Sequence, residues 1–377
     1  MNWLISSTLI IIPFLLVAIE AVISIRNTSY RYLFSNKKHE DYQILVPIWG
    51  NIIFLENVKY LSKYGSKVML CTSGNESKEF YMNLDALVQK YDFKLFKDKT
   101  NFKVGEKVGS NQRAISGSIR DTIIRNALNT VMKPFVVTLD ADSTATIDIS
   151  YLVGELKQRE LDIASIRIVP SNSNVSALTK LQTFEYYVAM NLRFLCPWLI
   201  SGACQAAKTD VLKNIMNRHS LFFQGNDVEI GLLAQVLGYK VGHIPFIIST
   251  SVPDNFKSWF RQRLAWGGGE FRLFLINFKF ILKHPLFWIY GAVITICMFP
   301  LRWIAFSSLS SNIYIILGLY VGLILYLHWE KRNWWLILMP IYMLFNSLII
   351  TPLGIIWYFY MAYKDKNYGI INNKKDI

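Results

Sequence analysis

The chain has 377 residues, 53% of them hydrophobic and 15% aromatic, with a formal net charge of +14. That is more apolar than an ordinary soluble domain, and the excess sits at the two ends of the chain. The four cysteines (Cys71, Cys196, Cys204, Cys297) have no metal-type spacing and imply no disulfide framework, and the five histidines are too scattered for a zinc site.

Taken in chain order, Trp3 to Ile25 is a nearly unbroken apolar run long enough to cross a bilayer, interrupted by Glu20. Arg26 and Arg31 follow it and no Lys or Arg precedes it, so the positive-inside rule puts the next domain in the cytoplasm. A cleaved signal peptide has a basic start and a shorter apolar core, so the run reads as an uncleaved anchor. Many other basic residues, Lys37, Lys38, Lys279 and Lys283 among them, also flank apolar segments. Anionic lipid headgroups explain that placement better than nucleic acid, for which no recognition motif is present.

From about Asp41 to Pro253 strands and helices alternate. Strands are expected at Tyr42–Pro47, Lys67–Thr72, Asp92–Phe96, Phe135–Asp140 and Ile163–Val169, with helices near Ser77–Tyr91 and Asn111–Thr130. Ile52, Leu55, Val58 and Leu61 also recur at helical spacing. The alternation implies one α/β domain with a mainly parallel sheet covered on both faces. There is no internal repeat, low-complexity segment or Gly/Ser linker.

The chemistry concentrates in four short stretches. The apolar run Phe135-Val136-Val137 delivers Asp140 and Asp142 to a strand end, where residues i and i+2 share one face, so both acids are expected to point the same way. Ligands of open α/β sheets bind beyond the carboxyl ends of strands, and a pair of hard oxygen ligands there suits Mg²⁺ or Mn²⁺ carrying a diphosphate. An acidic pair of this kind is also common in ordinary turns. Leu199 to Gln205, with Ser201 and Gly202, allows close backbone approach or forms a tight turn before a helix. Gln224 to Gly231 carries Asp227 at an expected helix start, where it could simply cap the helix. Finally, Phe256 to Leu282 mixes Trp, Phe and Leu with Lys and Arg, the composition of a helix in the membrane interface. A passive anchor does not require the cluster of Gln262, Trp259, Trp266 and Gly267-Gly268-Gly269 within it.

Beyond it lie further apolar stretches at Pro285–Phe306, Ile313–His328 and Trp334–Tyr363. Pro340, Asn346 and Pro352 interrupt the last. A single crossing would put the basic tail (Lys364, Lys366, Lys374, Lys375) outside, so a helical hairpin or re-entrant segment is expected there.

In order, Asp140-Ala141-Asp142, Ser201-Gly202, Asn226-Asp227 and Gln262-Arg263-Leu264-Ala265-Trp266 resemble the motifs of the membrane-integrated family 2 glycosyltransferases, among them hyaluronan, cellulose, chitin and capsule synthases. Val46-Pro47 and Gly238-Tyr239-Lys240 resemble two of that family's strand landmarks. The resemblance covers about Asp41 to Trp266. It implies a GT-A fold in the cytoplasm, flanked by transmembrane and interfacial helices. The expected layout is an anchor at 1–25, the GT-A domain at 26–253, interface helices at 254–283, membrane segments at 284–363 and a polar tail at 364–377, in a multi-pass protein of the cell membrane.

The implied activity is inverting transfer of a sugar from a nucleotide-diphosphate donor, a UDP-sugar first, to a saccharide or lipid acceptor. Asp227 matches the family's catalytic base. Asp142 would hold Mg²⁺ or Mn²⁺, and Asp140 would share the metal or contact the nucleotide. Ser201 and Gly202 would line the acceptor pocket, and Gln262 and Trp266 would close over donor and acceptor. Three departures stand out. Ala265 replaces the family's Arg, leaving Arg261 or Arg263 as substitutes. Thr72-Ser73-Gly74 replaces the usual nucleotide-contacting Asp. Lys107 and Arg113 stand in an altered donor loop as candidate phosphate contacts. A processive polysaccharide synthase is the first expectation, with single transfer to a polyprenyl phosphate or glycolipid as the alternative. An inactive membrane scaffold is a third reading, resting on Ala265 and the missing Asp.

Overall fold

The apolar runs of the middle segment become the inner strands of one sheet. A computed structural model describes residues 37–99, 107–108, 112–113, 116–194, 196–221, 225–276 and 333–365, with isolated positions between 318 and 326. Strand β1 (Tyr42–Pro47) is buried at every position, as is β2 (Val68–Thr72). Short helical turns at Ile52–Phe54 and Val58–Leu61 lie between them. Helix α1 (Lys78–Tyr91) starts where the Ser77 hydroxyl accepts the Phe80 N–H at 3.1 Å, and it ends at Asp92 in the left-handed region (φ 55°). Then come β3 (Lys94–Lys97), a separate two-stranded pair of β4 (Lys107–Val108) and β5 (Gln112–Arg113), and α2 (Ser116–Leu128). The chain continues through β6 (Phe135–Leu139), β7 (Thr144–Ala145), α3 (Ile149–Gln158), β8 (Ile163–Pro170) and α4 (Ala177–Leu192). After these follow β9 (Cys204–Lys208), α5 (Thr209–Arg218), α6 (Asn226–Val236), β10 (Val241–Thr250) and α7 (Phe256–Ile276).

The eight-stranded sheet has the order β3-β2-β1-β6-β9-β8-β10-β7. Strands β3, β2, β1 and β6 form one parallel block, and β8 pairs in parallel with β10. Between the blocks, β9 runs antiparallel to both β6 and β8. Four of the seven described pairings are parallel, as expected of a mainly parallel sheet, while β9 and the short β7, which pairs antiparallel with β10, are reversed; the turn at Ser201-Gly202 leads into a strand and not into a helix. Cys204-Gln205-Ala206-Ala207-Lys208 has little intrinsic β preference, and it becomes a strand because both of its neighbours pair with it. In β10, Pro245 falls where the pairing register shifts between Ile244 and Ile247, the place where a strand tolerates a missing N–H.

Contacts divide the chain into two units. The first holds residues 33–171, 193–251 and 359–377, and includes the sheet. Within it, a Cβ on Gly231 of α6 would sit 1.9 Å from the Trp198 carbonyl oxygen. Gly231→Ala must push backbone away from backbone, and should cost about 3 kcal/mol of stability. A thermal melt of the purified protein checks this, and an unchanged melting temperature would show that the loop at Trp198 yields freely.

The second unit holds the described residues within 172–192 and 252–358. Its buried cluster joins Leu181 and Phe184 of α4, Trp259 of α7, and Leu336, Met339, Tyr342 and Ile350. The last four belong to one unbroken helical run: a 3₁₀ turn at Trp334–Leu338, α8 (Met339–Phe345), a π turn at Asn346–Ile350, and α9 (Thr351–Asp365). The backbone stays right-handed helical at Phe345, Asn346 and Thr351, so the expected hairpin or re-entrant segment is replaced by a continuous helix. Pro340 sits at the first turn of α8, where the 3₁₀ turn gives way to α-helix and the fixed φ of proline suits a helix start. Pro352 follows directly on the π turn, where the hydrogen-bond ladder is already offset.

Ile341–Lys364 is long and apolar enough to cross a membrane by length and composition. The glycine run of α7 has a packing role against this helix. A Cβ on Gly354 would meet the Leu264 oxygen at 2.4 Å and the Gly268 nitrogen at 2.9 Å, and one on Gly267 would lie 3.1 Å from the Thr351 Cα. Small residues on both sides let the two helix backbones approach closely. The apolar run Trp3–Ile25 and the segment Pro285–Phe306 lie outside the described residues, as does Ile313–His328 apart from a few positions.

Candidate active site

Strand β6 stops at Leu139, and the chain turns at once. The Ser143 N–H donates to the Asp140 carbonyl at 3.0 Å, closing a tight turn over Asp140-Ala141-Asp142. Asn57 clamps this turn from outside. Its side-chain amide donates to the carbonyls of Asp140 (2.9 Å) and Ser143 (2.7 Å), and its N–H donates to Ala141 (3.1 Å). Strand alternation therefore does not set the directions of the two acids. They lie in a turn and face different partners.

Asp142 accepts hydrogen bonds from the Thr250 hydroxyl at the end of β10 (3.1 and 3.2 Å) and from the Ser143 hydroxyl (3.1 Å). Asp140 instead accepts the Arg120 Nε–H at 3.0 Å. Arg120, on α2, also donates to Asp121 at 2.9 Å and, through Nη2, to the Gly202 carbonyl. The Gly202 N–H donates to the Asp227 carboxylate at 2.8 Å. The backbone joins the same pieces, because the Asp140 N–H donates to the Ala203 carbonyl at 3.0 Å and Ser201 bridges to Cys204 across the turn. Asp140, Asp142, Ser201, Gly202 and Asp227, far apart in sequence, thus belong to one hydrogen-bonded cluster.

Asp227 is the second residue of α6, which begins after Gly225 in the left-handed region (φ 86°). The N-cap residue Gly225 has no side chain to cap the helix, and the Asp227 carboxylate meets the backbone of Val228 in the first turn as well as the Gly202 N–H. The helix start is buttressed from below. His219 Nδ1 accepts the Leu221 N–H at 3.0 Å, which leaves Nε2 to donate to the Asn226 carbonyl at 2.8 Å. The fully buried Glu229 accepts the N–H and hydroxyl of Ser220 at 3.1 and 2.8 Å.

The charges of the cluster pull on one another. Burial pushes the Asp227 carboxyl above the usual carboxylate range, while the Gly202 N–H and the charge of Arg120 draw it back. Burial also raises Asp140, with Asp142 adding to the rise and Arg120 opposing it. The Asp140 side chain keeps 35% of its surface open, so water screens part of that push. Burial alone would lower the Arg120 guanidinium, but Asp140 and Asp121 outweigh it and raise it. Asn57, Arg120, Thr250 and His219 carried no motif signal. Each looks like an ordinary loop, helix or strand-end residue until the fold places it.

Among the described residues no three His, Cys, Asp or Glu side chains are placed to share a metal. What the turn offers is oxygen: Asp142 and Asp140, with the hydroxyls of Ser143 and Thr250 bonded to Asp142. That set fits a hard ion such as Mg²⁺ or Mn²⁺, which uses one or two carboxylates and completes its shell with water and substrate phosphate.

The second unit carries the remaining motif. Arg263 is only 2% exposed, donating to Glu185 at 2.6 Å and to the Gln262 side chain at 2.9 Å, with its guanidinium 4.3 Å from the Trp266 ring centre. Tyr342 also donates to Glu185 and accepts the Trp259 ring N–H at 2.9 Å. Arg263 is therefore engaged inside this unit, Ala265 is buried, and Arg261 is exposed. Lys107 and Arg113 pair opposite each other in the β4–β5 ladder, and their side chains lie outside the described set.

Comparison with known proteins agrees with this architecture. The chain is 28% identical over 152 residues to an N-acetylglucosaminyltransferase of Rhizobium meliloti, covering 36% of each chain. It is 25% identical over 242 residues to one from Neorhizobium galegae, covering 59% of this chain and 52% of that one. It is 27% identical over 263 residues to hyaluronan synthase 1 of Xenopus tropicalis, covering 62% of this chain and 43% of that one. The chain thus spans roughly a third to a half of the length of these relatives. Its fold matches the mannosyltransferase PcManGT from Pyrobaculum calidifontis, solved with GDP-Man and Mn²⁺, with a TM-score of 0.60 at 13% identity over 94% of this chain and 98% of that one. The sheet is that of the GT-A glycosyltransferases. Residues 135–362, more than half of the chain, match the family described as glycosyl transferase family group 2, and the chain belongs to that family.

Proposed function

We propose that this glycosyltransferase is a membrane-bound, inverting hexosyltransferase that moves a sugar from a nucleotide-diphosphate donor, a UDP-sugar first, onto a growing polysaccharide. The observation that carries the reading is the cluster at the carboxyl end of β6, in which Arg120 joins Asp140 (3.0 Å) to the Gly202 carbonyl (2.5 Å), the Gly202 N–H reaches Asp227 (2.8 Å), and the Asp140–Ser143 turn carries Asp142. The relatives named N-acetylglucosaminyltransferase support sugar transfer, and the one named hyaluronan synthase supports a polymer as product.

In this reading Asp142, with Ser143 and Thr250 orienting it, and Asp140 would hold Mg²⁺ or Mn²⁺. The ion would neutralise charge developing on the leaving diphosphate. Asp227 accepts the proton of the acceptor hydroxyl as that oxygen bonds to the anomeric carbon. The bond from that carbon to the diphosphate oxygen breaks on the opposite face, so the configuration inverts. Ser201 and Gly202 line the acceptor side. Gln262, Trp266 and Arg261 are proposed as substrate contacts, and Lys107 and Arg113 as donor contacts. Arg263 serves through Glu185, Gln262 and Trp266. The layout of an anchor at 1–25, a cytoplasmic domain at 26–253, interface helices at 254–283 and membrane segments at 284–363 is part of the same proposal.

The test uses membranes carrying the full chain, a panel of radiolabelled UDP- and GDP-sugars, Mn²⁺ or Mg²⁺, and a chelator arm, with product size recorded. Incorporation into polymer that stops on chelation is expected. A short, organic-extractable product would move the acceptor to a lipid. No incorporation from any donor would sink the reading in favour of an inactive scaffold.

A further inference from the structure

The sequence motifs leave Arg120 without a task, yet it is the most heavily used side chain of the cluster. Its three donor positions go to three different chain segments: Nε to Asp140 beyond β6, Nη1 to Asp121 on its own helix, and Nη2 to the Gly202 carbonyl ahead of β9. Gly202 then reaches Asp227 through its own N–H at 2.8 Å. One planar guanidinium therefore fixes the donor-side acid and, through a single glycine, the acid proposed as base. A lysine ammonium could not replace that fork, because its single nitrogen cannot span three divergent acceptors. Asp121 is almost wholly buried and bonded to Arg120, so it anchors the guanidinium on α2.

We propose that Arg120 is a positioning residue that sets the spacing between Asp140 and Asp227, and that it leaves the metal chiefly to Asp142 by occupying one oxygen of Asp140. This inference rests on the function proposed above. It acts on geometry and not on donor binding, so it predicts a divided effect. Losing Arg120 misplaces the base relative to the donor, while the freed Asp140 carboxylate leaves cation binding undiminished.

The experiment compares wild type, Arg120→Gln and Arg120→Lys as full chains in detergent. Arg120→Gln should lower kcat about 100-fold, the scale of an ångström-level misplacement, while KM for the donor stays within about threefold. Mn²⁺ affinity, followed by electron paramagnetic resonance, should hold or rise, and Arg120→Lys should regain only part of the rate. Carbodiimide labelling read by mass spectrometry gives a readout free of turnover, with Asp140 and Asp227 both labelling faster in Arg120→Gln than in wild type. If the wild type turns over no donor, the functional reading fails, and the labelling alone decides whether the brace exists. Unchanged kcat or unchanged labelling overturns the proposal. So does a parallel loss of UDP affinity and rate, which would make Arg120 a direct donor ligand. Should Arg120→Gln fail to fold, the same readouts on Arg120→Lys decide.

Discussion

Replacing Asp227 with Asn is expected to lower kcat about 10³-fold, within the range for loss of a general base. The substitution is nearly isosteric, and the amide oxygen can still accept the Gly202 N–H, so the fold of α6 and the turn at Ser201 should survive. Only the capacity to take a proton is removed. The wild type should also show an acidic limb in kcat/KM that lies above the ordinary aspartate range. The base must be ionised to act, and burial raises the pH at which this carboxyl gives up its proton. Activity then falls as pH drops through that raised value, and the limb should vanish in Asp227→Asn. A variant that keeps wild-type turnover, or a limb that survives the substitution, would move the base elsewhere.

Asp142→Ala should be of similar size for a different reason. Asp142 is the acid of the turn with no cation paired to it in the contacts described, and two hydroxyls hold its oxygens in place. Removing it takes away the principal anchor proposed for the ion. A loss of roughly 4 kcal/mol of transition-state stabilisation corresponds to about 10³-fold in rate. The curve of activity against Mn²⁺ should move to higher concentration in proportion, and excess metal should recover part of the rate. Thr250→Val, which removes only the orienting hydroxyl, should give a smaller shift in the same direction. An unmoved metal curve in Asp142→Ala would place the ion on other ligands.

What could be read from the chain beforehand follows from what kind of signal each element carries. Tyr42–Pro47 is apolar throughout because both of its faces are buried, so its limits were readable to the residue. The acids, the Ser-Gly turn and Asn226-Asp227 were readable as motifs. Their assembly was not, because it depends on β9, whose residues become a strand only between β6 and β8. Arg120 was hidden for a related reason. A lone Arg in a helix normally reads as part of a solvated face, and nothing local announces that Asp140 and Gly202 will arrive beside it. The glycines of α7 could be singled out but not explained, since their partner at Gly354 is almost ninety residues away. That Arg263 turns inward while Arg261 stays exposed was equally unreadable, because its partner Glu185 lies on another helix.

The antiparallel seam between β6 and β9 has a consequence for how such an enzyme can diversify. Five residue pairs, from Phe135–Lys208 to Leu139–Cys204, hold the two strands in register, and the Asp140–Ala203 bond continues the ladder into the turns. One strand leads into the Asp140–Asp142 turn, and the other begins just after the turn at Ser201-Gly202. An inserted or deleted residue in either strand would reverse every side chain beyond it and pull the Asp140 turn away from the Ser201-Gly202 turn. A change of length in the loops that hang from this seam leaves the register, and with it the spacing of Asp140 and Gly202, unchanged.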